Sequence, residues 1–449
     1  KRHLPRLNTS MPSSLPAMIG TMTSSPQRHR SSPQLQLALL AGRTAATVSR
    51  IAGKGSGASI RGRVTMKLAP RALPELLAGR RIASVTGTNG KTTTTHFLTA
   101  AVRAETPDGQ RSVVTNADGA NLHHGIVSAL GQAPDATIAV LETDERVVAD
   151  VVAMGSPEVL VLLNFSRDQL DRNHELTFLG RDWRAALEKA AEHGPTVVAN
   201  ACDPLIVWVC QKARHVIWVD TKPRWTADAT LCPNCGAVLI HSDQGWDCPG
   251  CELRQPAADW WVEDHDAVEA SGRRFHLDVQ VPGSFNLTNA TCALAAAIHM
   301  GIQPEDALRG IATVKSPAGR YATCTISGTR CRLLLSKNPA GWTESLPLTT
   351  SNPLVLAIDA VAADGKDVSW LWDVDYEQLA GRTVICAGPR ALDLAVRLQY
   401  AEVEHIVIED LSQALSSPLL AGKWDAEHPI DVLSTYTPFQ KLRRLGGLA

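Results

Sequence analysis

No run of apolar residues in the 449-residue chain approaches the ~18 to 20 that cross a bilayer, so a transmembrane segment is not expected. An excess of charge of one sign is also missing. The formal net charge is −1 and the isoelectric point is near 7.0, without the basic footprint of a nucleic-acid binder. A disulfide framework is absent as well. Of ten cysteines, four sit in one short stretch, and Cys202, Cys210, Cys292, Cys324, Cys331 and Cys386 lie singly among apolar residues. In a chain this long they read as buried small hydrophobes in a reducing cytoplasm. The first 74 residues, finally, hold no Asp or Glu, and residues 1–34 are rich in Ser, Pro, Arg and Gln. An acid-free start of this kind can be a transit peptide. The reading adopted is a disordered extension over residues 1–34 with no part in the chemistry.

What remains is globular: 44% hydrophobic and 20% charged residues, enough for two or three domains. LQLALLAGRTAATVSRIAG, from Leu35 to about Arg50, has helical spacing, and Gly53, Gly55 and Gly57 would end it. RIASVTGTNGKTTTTHFLTAAVRA then reads as strand, glycine-containing loop and helix. VVTNADGAN, ATIAVLETDE, EVLVLLNFSRDQLD, PTVVANACDP and HVIWVD each run from a β-branched or aliphatic segment into a polar turn. Repeated units of this kind predict a parallel sheet with crossover helices. FNLTNATCALAAAIHMG predicts a helix ended by Gly301, and CRLLLSKNP, PLVLAID, TVICAG and HIVIED form a further α/β unit after Gly319 and Arg320.

TGTNGKTT carries the strongest chemistry. A strand, a glycine turn and a helix N-terminus aim several backbone N–H groups at one point, where the helix dipole favours an anion. Gly87, Thr88, Asn89, Gly90, Lys91, Thr92 and Thr93 form this candidate phosphate loop, with Val85 where the common pattern has its first glycine. Lys91 offers a cation for the β/γ-phosphates of ATP, and the Thr92 hydroxyl can sit on Mg²⁺. Magnesium also wants a carboxylate. Glu142, at the end of an aliphatic strand, is the candidate, with Asp144 and Glu145 beside it.

TLCPNCGAVLIHSDQGWDCPGCEL places Cys232, Cys235, Cys248 and Cys251 as two Cys-x-x-Cys pairs, with Gly236 behind the first. Four thiolates suit tetrahedral Zn²⁺ and leave no position for water, so the expected role is structural. Pro223 and Pro256 flank an insertion of about residues 225–256, whose loop AVLIHSDQGWD, neutral to acidic, lacks the basic and aromatic surface that nucleic-acid binding needs.

TGTNGKTT, the strand-end acid, NFSRDQLDR, GSFNLTNATCALAAA and the AGRY linker resemble the Mur ligases. The four-cysteine insert, KNPAGWTESL and ADGKDVSWLWDVDYE resemble their amidating, MurT-type branch, over roughly residues 35–445. The resemblance implies an α/β fold: a P-loop central domain (35–315) with a parallel sheet and a four-cysteine zinc-ribbon insert, then a Rossmann-like α/β domain (316–449). It implies ATP-dependent amidation, by ammonia from a GatD-like glutaminase partner, of the D-glutamate α-carboxylate in the stem peptide of membrane-anchored lipid II. The place would be cytoplasmic, at the inner face of the plasma membrane. It puts Asn286 and Asn289 near the adenine and Arg320 at the hinge. Asn164, Asp168 and Asp171 would face substrate and metal, or else cap or be solvated. Asp367, or second Asp364, would complete the partner's Cys–His pair. The chain departs from the family's pattern at Asp359-Ala360-Val361, at Thr343 and at RNHEL, which bears on a nucleotide contact from the C-terminal domain. Other readings are an amino-acid-adding or folylpolyglutamate-type ligase, and a non-catalytic zinc-ribbon scaffold on a relic ATP fold.

Overall fold

The computed structural model describes residues 32–51, 58–105, 112–116, 120–167, 176–190, 192–316, 321–361 and 364–448. The strands that position the site are β1 (Arg81–Thr86), β2 (Val113–Thr115), β3 (Ile138–Glu142), β4 (Val159–Leu162), β5 (Thr196–Asn200) and β6 (His215–Val219). They pair in parallel. Every residue of β3 and β4, and all but the first of β1, is buried. Continuous aliphatic runs like IAVLE and VLVL are what strands covered on both faces require. One face carries the Lys91–Glu105 and Ser284–His299 helices, whose Phe97, Leu98, Ala290, Ala293 and Ala297 are buried against Val85 and Val140. The other face carries Leu176–Lys189 and Pro204–Cys210, around Trp183.

In the sheet β1 lies between β4 and β3. The chain therefore crosses β1 between β3 and β4, and open parallel sheets bind ligands at such a switch point, beyond the carboxyl ends of the strands. Val85 pairs with Glu142, so the loop after β1 and the acid ending β3 emerge side by side.

The sheet is not wholly parallel. β9 (Trp260–Glu263), β10 (Asp266–Glu269) and β11 (Arg274–His276) extend it to nine strands. β9 joins β6 in parallel through Val219 and Trp260, and β10 and β11 add antiparallel. Between β6 and β9 the cysteine segment forms its own hairpin, β7 (Ile240–Ser242) and β8 (Gly245–Asp247). Leu239, Trp246 and Leu253 of this insert are buried with Val207, and the Trp246 indole donates to Ala201 O at 3.3 Å. The insert is thus docked on the central sheet's helix layer.

A helix of Pro33–Ile51 precedes β1, packed on Ala58–Leu68. Residues 33 and 34 are therefore helical, a correction to the disordered extension expected through residue 34; a proline fits the first turn, where its missing N–H has no partner to lose. Gly53, Gly55 and Gly57 lie outside the described residues. Among the described residues no helix is long and apolar enough to cross a membrane.

The second sheet has six strands: β12 (Tyr321–Ile326), β13 (Thr329–Leu335), β14 (Leu354–Ala357), β15 (Thr383–Ala387), β16 (Glu404–Val407) and β17 (Ile430–Ser434). Their order is β12-β13-β17-β14-β15-β16, parallel except for the β12–β13 hairpin. Two cores fill its faces, one around Trp342 and Tyr376, the other around Phe439.

Two links tie this unit to the stem of the cysteine insert. Arg224 N donates to Glu344 Oε1 at 3.0 Å, and its guanidinium lies 4.0 Å from the same carboxylate. Arg167 pairs with Asp228 at 2.5 Å and reaches Asp373 at 3.7 Å.

Candidate active site

The loop after β1 has the backbone a phosphate cradle needs. Gly87 has φ +134° and Gly90 φ +85°, and side chains rarely adopt such angles. Space forbids them too: a Cβ at Gly87 would lie 2.9 Å from Asn164 N, and one at Gly90 2.7 Å from Asn289 Oδ1. The loop is braced from the end of β4. Thr88 N donates to Asn164 O at 2.9 Å, and Asn89 N to Asn164 Oδ1 at 2.9 Å. Asn164 Nδ2 returns a bond to Asn89 O at 3.1 Å, and Asn89 Nδ2 donates to Ser166 Oγ at 2.9 Å. Asn164 therefore shapes the loop.

Lys91 opens the helix. Its ammonium donates to Gly87 O at 2.5 Å and Thr88 O at 3.2 Å, and pairs with Glu145 at 2.8 Å. The cation is thus held over the cradle, between loop carbonyls and one carboxylate. Thr92 and Thr93 follow, both buried.

The three neighbouring acids have separate places. Glu145 is on Lys91. Asp144 receives a two-pronged contact from Arg146, at 2.8 and 3.1 Å. Burial alone would raise its pKa, but the Arg146 hydrogen bonds and charge, with Lys91, bring it below the usual carboxylate range. Glu142 is only 1% exposed; its Oε1 accepts from Asn121 Nδ2 at 2.9 Å, and its Oε2 is buried with no hydrogen-bond partner among the described residues. Asn116 grips its backbone on both sides, Glu142 N to Oδ1 and Nδ2 to Glu142 O, each at 2.8 Å. A buried carboxylate oxygen with an open lone pair, beside a phosphate loop, suits a divalent cation such as Mg²⁺.

Asn286 and Asn289 stand on the Ser284–His299 helix, which Gly283 precedes without any side-chain cap. Asn289 Nδ2 donates to Asn286 Oδ1 at 3.1 Å, and Asn286 Nδ2 to Pro282 O at 2.6 Å. Asn289 thereby lies against Gly90, while Asn286 is fully buried behind it. Arg320, Asp168 and Asp171 lie outside the described residues.

Sequence reasoning missed Asn338. Its Oδ1 accepts from Gly341 N at 2.9 Å, capping the Pro339–Ser345 helix. Its Nδ2 donates across the domain boundary to Asn89 Oδ1 at 3.2 Å. Asn before Pro is a helix-start signal, but a partner 249 residues away leaves no local trace. Beside this contact a cavity of about 80 Å³ opens between the two units, lined by Arg167, Lys337, Asn338, Asp364, Asp367 and Trp370 among others.

Asp364 and Asp367 differ in kind. Asp364 is buried and accepts from Thr437 N at 2.7 Å. Asp367 is exposed. Ser369 N and Oγ donate to its two oxygens at 2.8 and 2.9 Å, and these bonds hold its pKa below the usual range. Asp359, at the first departure from the family's pattern, is buried 3.7 Å from the Lys441 ammonium.

The four cysteine sulfurs lie within 4.8 Å of one another, with Cys232–Cys251 at 3.7 Å and Cys235–Cys248 at 3.4 Å. A zinc ion with Zn–S bonds of about 2.3 Å spaces its sulfurs about 3.8 Å apart, so the thiols fit one tetrahedral ion. Gly236 closes the first knuckle at φ +77°, donating to Cys232 O at 2.9 Å.

Comparison with known proteins agrees with both halves. The Mur ligase middle domain family matches residues 85–245, and the MurT ligase C-terminal family matches residues 335–439. The lipid II isoglutaminyl synthase (glutamine-hydrolyzing) subunit MurT of Streptococcus pneumoniae is 29% identical, over 91% of this chain and 96% of the relative. Its counterpart in Staphylococcus aureus is 29% identical over 80% and 86%. Among solved structures, MurF from Acinetobacter baumannii superposes with a TM-score of 0.61 at 15% identity, covering 86% of this chain and 80% of that one. A pseudomurein peptide ligase type C from Methanothermus fervidus gives 0.58 at 16% identity, over 82% and 78%.

Proposed function

Since the chain belongs to the Mur ligases and carries a MurT-type C-terminal domain, we propose that it is the ATP-consuming subunit of a lipid II isoglutaminyl synthase. It amidates the D-glutamate α-carboxylate of the lipid II stem peptide, at the cytoplasmic face of the plasma membrane, with ammonia from a GatD-like glutaminase.

A carboxylate is a poor acyl donor because its leaving group would be oxide. Transfer of the γ-phosphoryl group from ATP to a carboxylate oxygen gives an acyl phosphate and ADP. Ammonia attacks the acyl carbon, the C–O bond to phosphate breaks, and amide and inorganic phosphate leave. Catalysis of this kind is mainly positioning and neutralisation of charge. The N–H groups from Gly87 to Thr93 hold the phosphates, and Asn164 and Asn338 fix the loop from two sides. Lys91 moves from Glu145 onto the β/γ oxygens. Glu142 and Thr92 would hold Mg²⁺, which when bound would supply neutralisation of phosphate charge. Asn289 and Asn286 are assigned to the nucleoside side and Arg320 to the hinge; Asp367 is assigned to the partner. The observation that carries this reading is the conjunction of Lys91 over the loop with the open, buried oxygen of Glu142.

Cys232, Cys235, Cys248 and Cys251 would hold Zn²⁺. Structural zinc contributes on the order of 10 kcal/mol in small modules, and no coordination position is left for chemistry. Cys248→Ser is expected to reduce bound zinc at least about tenfold after dialysis, read by metal analysis. It should also expose Trp246, read by its fluorescence.

The functional test is amidation of lipid II by the chain copurified with a candidate glutaminase. Amide formation should require both ATP and glutamine. An intact complex that forms no amide would overturn the proposal, and one that adds an amino acid instead would favour an amino-acid-adding ligase.

A further inference from the structure

The Pro33–Ile51 helix is apolar on two faces. Leu35, Ala38, Gly42, Ala46 and Ser49 are buried against the rest of the fold. The opposite face is solvent-exposed, yet it presents Leu37, Leu40, Val48 and Ile51, exposed by 69, 57, 61 and 83%. At the helical period these four fall on one stripe with Thr44. Leu68, at the end of the neighbouring Ala58–Leu68 helix, is 48% exposed.

The helix itself carries no acid, and the charge near its stripe is mainly basic, apart from Glu75, which accepts from Ser32 N at the helix start at 3.3 Å. Residues 1–74 hold 12 of the chain's 44 Lys and Arg and none of its 45 Asp and Glu. The remaining 32 cations face 45 carboxylates, a net −13 for the rest of the chain. Arg43, Arg50, Arg63 and Lys67 are exposed, and none of them makes an ion pair with an acid among the described residues. Arg61 feels the crowd: burial first, then the charges of Arg50 and Arg43, lower its pKa. His124 is lowered in the same way, by burial and then by Arg63 and His123.

This cationic end lies towards the candidate active site. Gly62, between Arg61 and Arg63, packs on the backbone of His124. The His123–Leu130 helix starts two residues after Asn121, whose amide holds Glu142.

We propose that the exposed face of the Pro33–Ile51 helix, with Arg43 and Arg50 on one flank and Arg63 and Lys67 on the neighbouring Ala58–Leu68 helix, is a docking surface for an anionic lipid bilayer. It rests on the reading above in one respect: the substrate it would bring within reach is lipid-anchored. Leucine, valine and isoleucine enter the acyl boundary, and the arginines and lysine meet anionic headgroups. A symmetric second copy is a poorer occupant, because a two-fold contact sets each cation of the patch against the same patch.

The test is flotation of the full chain with vesicles that contain no lipid II, so binding is read apart from amidation. Wild type should float with phosphatidylglycerol/phosphatidylcholine vesicles, much less with phosphatidylcholine alone, and less as salt rises. Leu37→Ser, Val48→Ser and Ile51→Ser together, and separately Arg50→Glu with Arg63→Glu, should each reduce binding at least about tenfold. Both variants should keep the wild-type melting profile and ATP-dependent amidation of a soluble stem-peptide substrate. Equal flotation with both vesicle types, or none with either, would overturn the proposal. So would a stripe variant that turns a dimer into a monomer in sedimentation velocity while vesicle binding persists. Vesicle binding that appears only after removal of residues 1–31 would also overturn it, because the stripe would then be covered by its own chain. Docking without amidation would sink the enzymatic reading alone.

Discussion

Lys91→Ala is expected to abolish ATP-dependent amidation, with a loss of at least about 10³-fold, while the fold and zinc content stay intact. The ammonium is held over the loop by Gly87 O, Thr88 O and Glu145. In phosphoryl transfer a positioned cation on the migrating group contributes roughly 10³ to 10⁵ in rate. The substitution also frees Glu145, whose carboxylate is only 13% exposed, to face incoming phosphates with an uncompensated charge. Single-turnover formation of ADP, with and without the partner, measures the effect. Lys91→Arg should not restore it, because a planar fork cannot reproduce a point charge inside this turn. Retention of ADP formation within about tenfold of wild type would remove Lys91 from the chemistry.

Asp367→Asn is expected to have a comparably large effect on one ammonia source and a small effect on the other. The substitution is nearly isosteric, and Asn Oδ1 can still accept from Ser369 N, as Asp367 Oδ1 does at 2.8 Å. What it removes is a charge. An exposed carboxylate fixed by two hydrogen bonds and kept ionised by them is suited to orient a histidine of a partner and stabilise its imidazolium. Glutamine-dependent amidation should fall by about 10³-fold or more, with ammonium-dependent amidation within about twofold of wild type. Asp364→Asn serves as the contrast. Asp364 is buried on Thr437 N, so that change should lower thermal stability instead. Loss of the ammonium-driven reaction in Asp367→Asn would refute the shared-triad role.

The phosphate loop was legible because it depends on local chemistry: two glycines, a lysine and a strand before them. β1 and β3 to β5 were legible as apolar runs, since burial on both faces leaves no alternation to disguise them, and the partly exposed β6 was legible from its β-branched residues. β9 to β11 were not. They are short and charged, as WWVE, DAVE and RFH, and they exist because an edge of the sheet was open for pairing. The sequence singled out Glu142 at the strand end, with Asp144 and Glu145 beside it. Side-chain geometry then gave each a separate place, through Asn121, Arg146 and Lys91. Asn338 was quoted within KNPAGWTESL without a role, because its contact with Asn89 spans the two domains. The four cysteines were readable as one cluster, but the burial of Trp246 against Ala201 depends on a surface built elsewhere in the chain.

The stem of the cysteine insert ties the C-terminal unit to the central sheet. It leaves β6, touches Glu344 through Arg224 and Asp373 through the Arg167–Asp228 pair, and returns to the same sheet at β9. Rotation of the C-terminal unit away from the loop must therefore part these contacts together with Asn338–Asn89. Solvent-exposed ion pairs contribute about 0 to 1 kcal/mol each, against a thermal energy of about 0.6 kcal/mol. Such contacts tie the two units by a few-fold in population, and parting them costs little more than thermal energy.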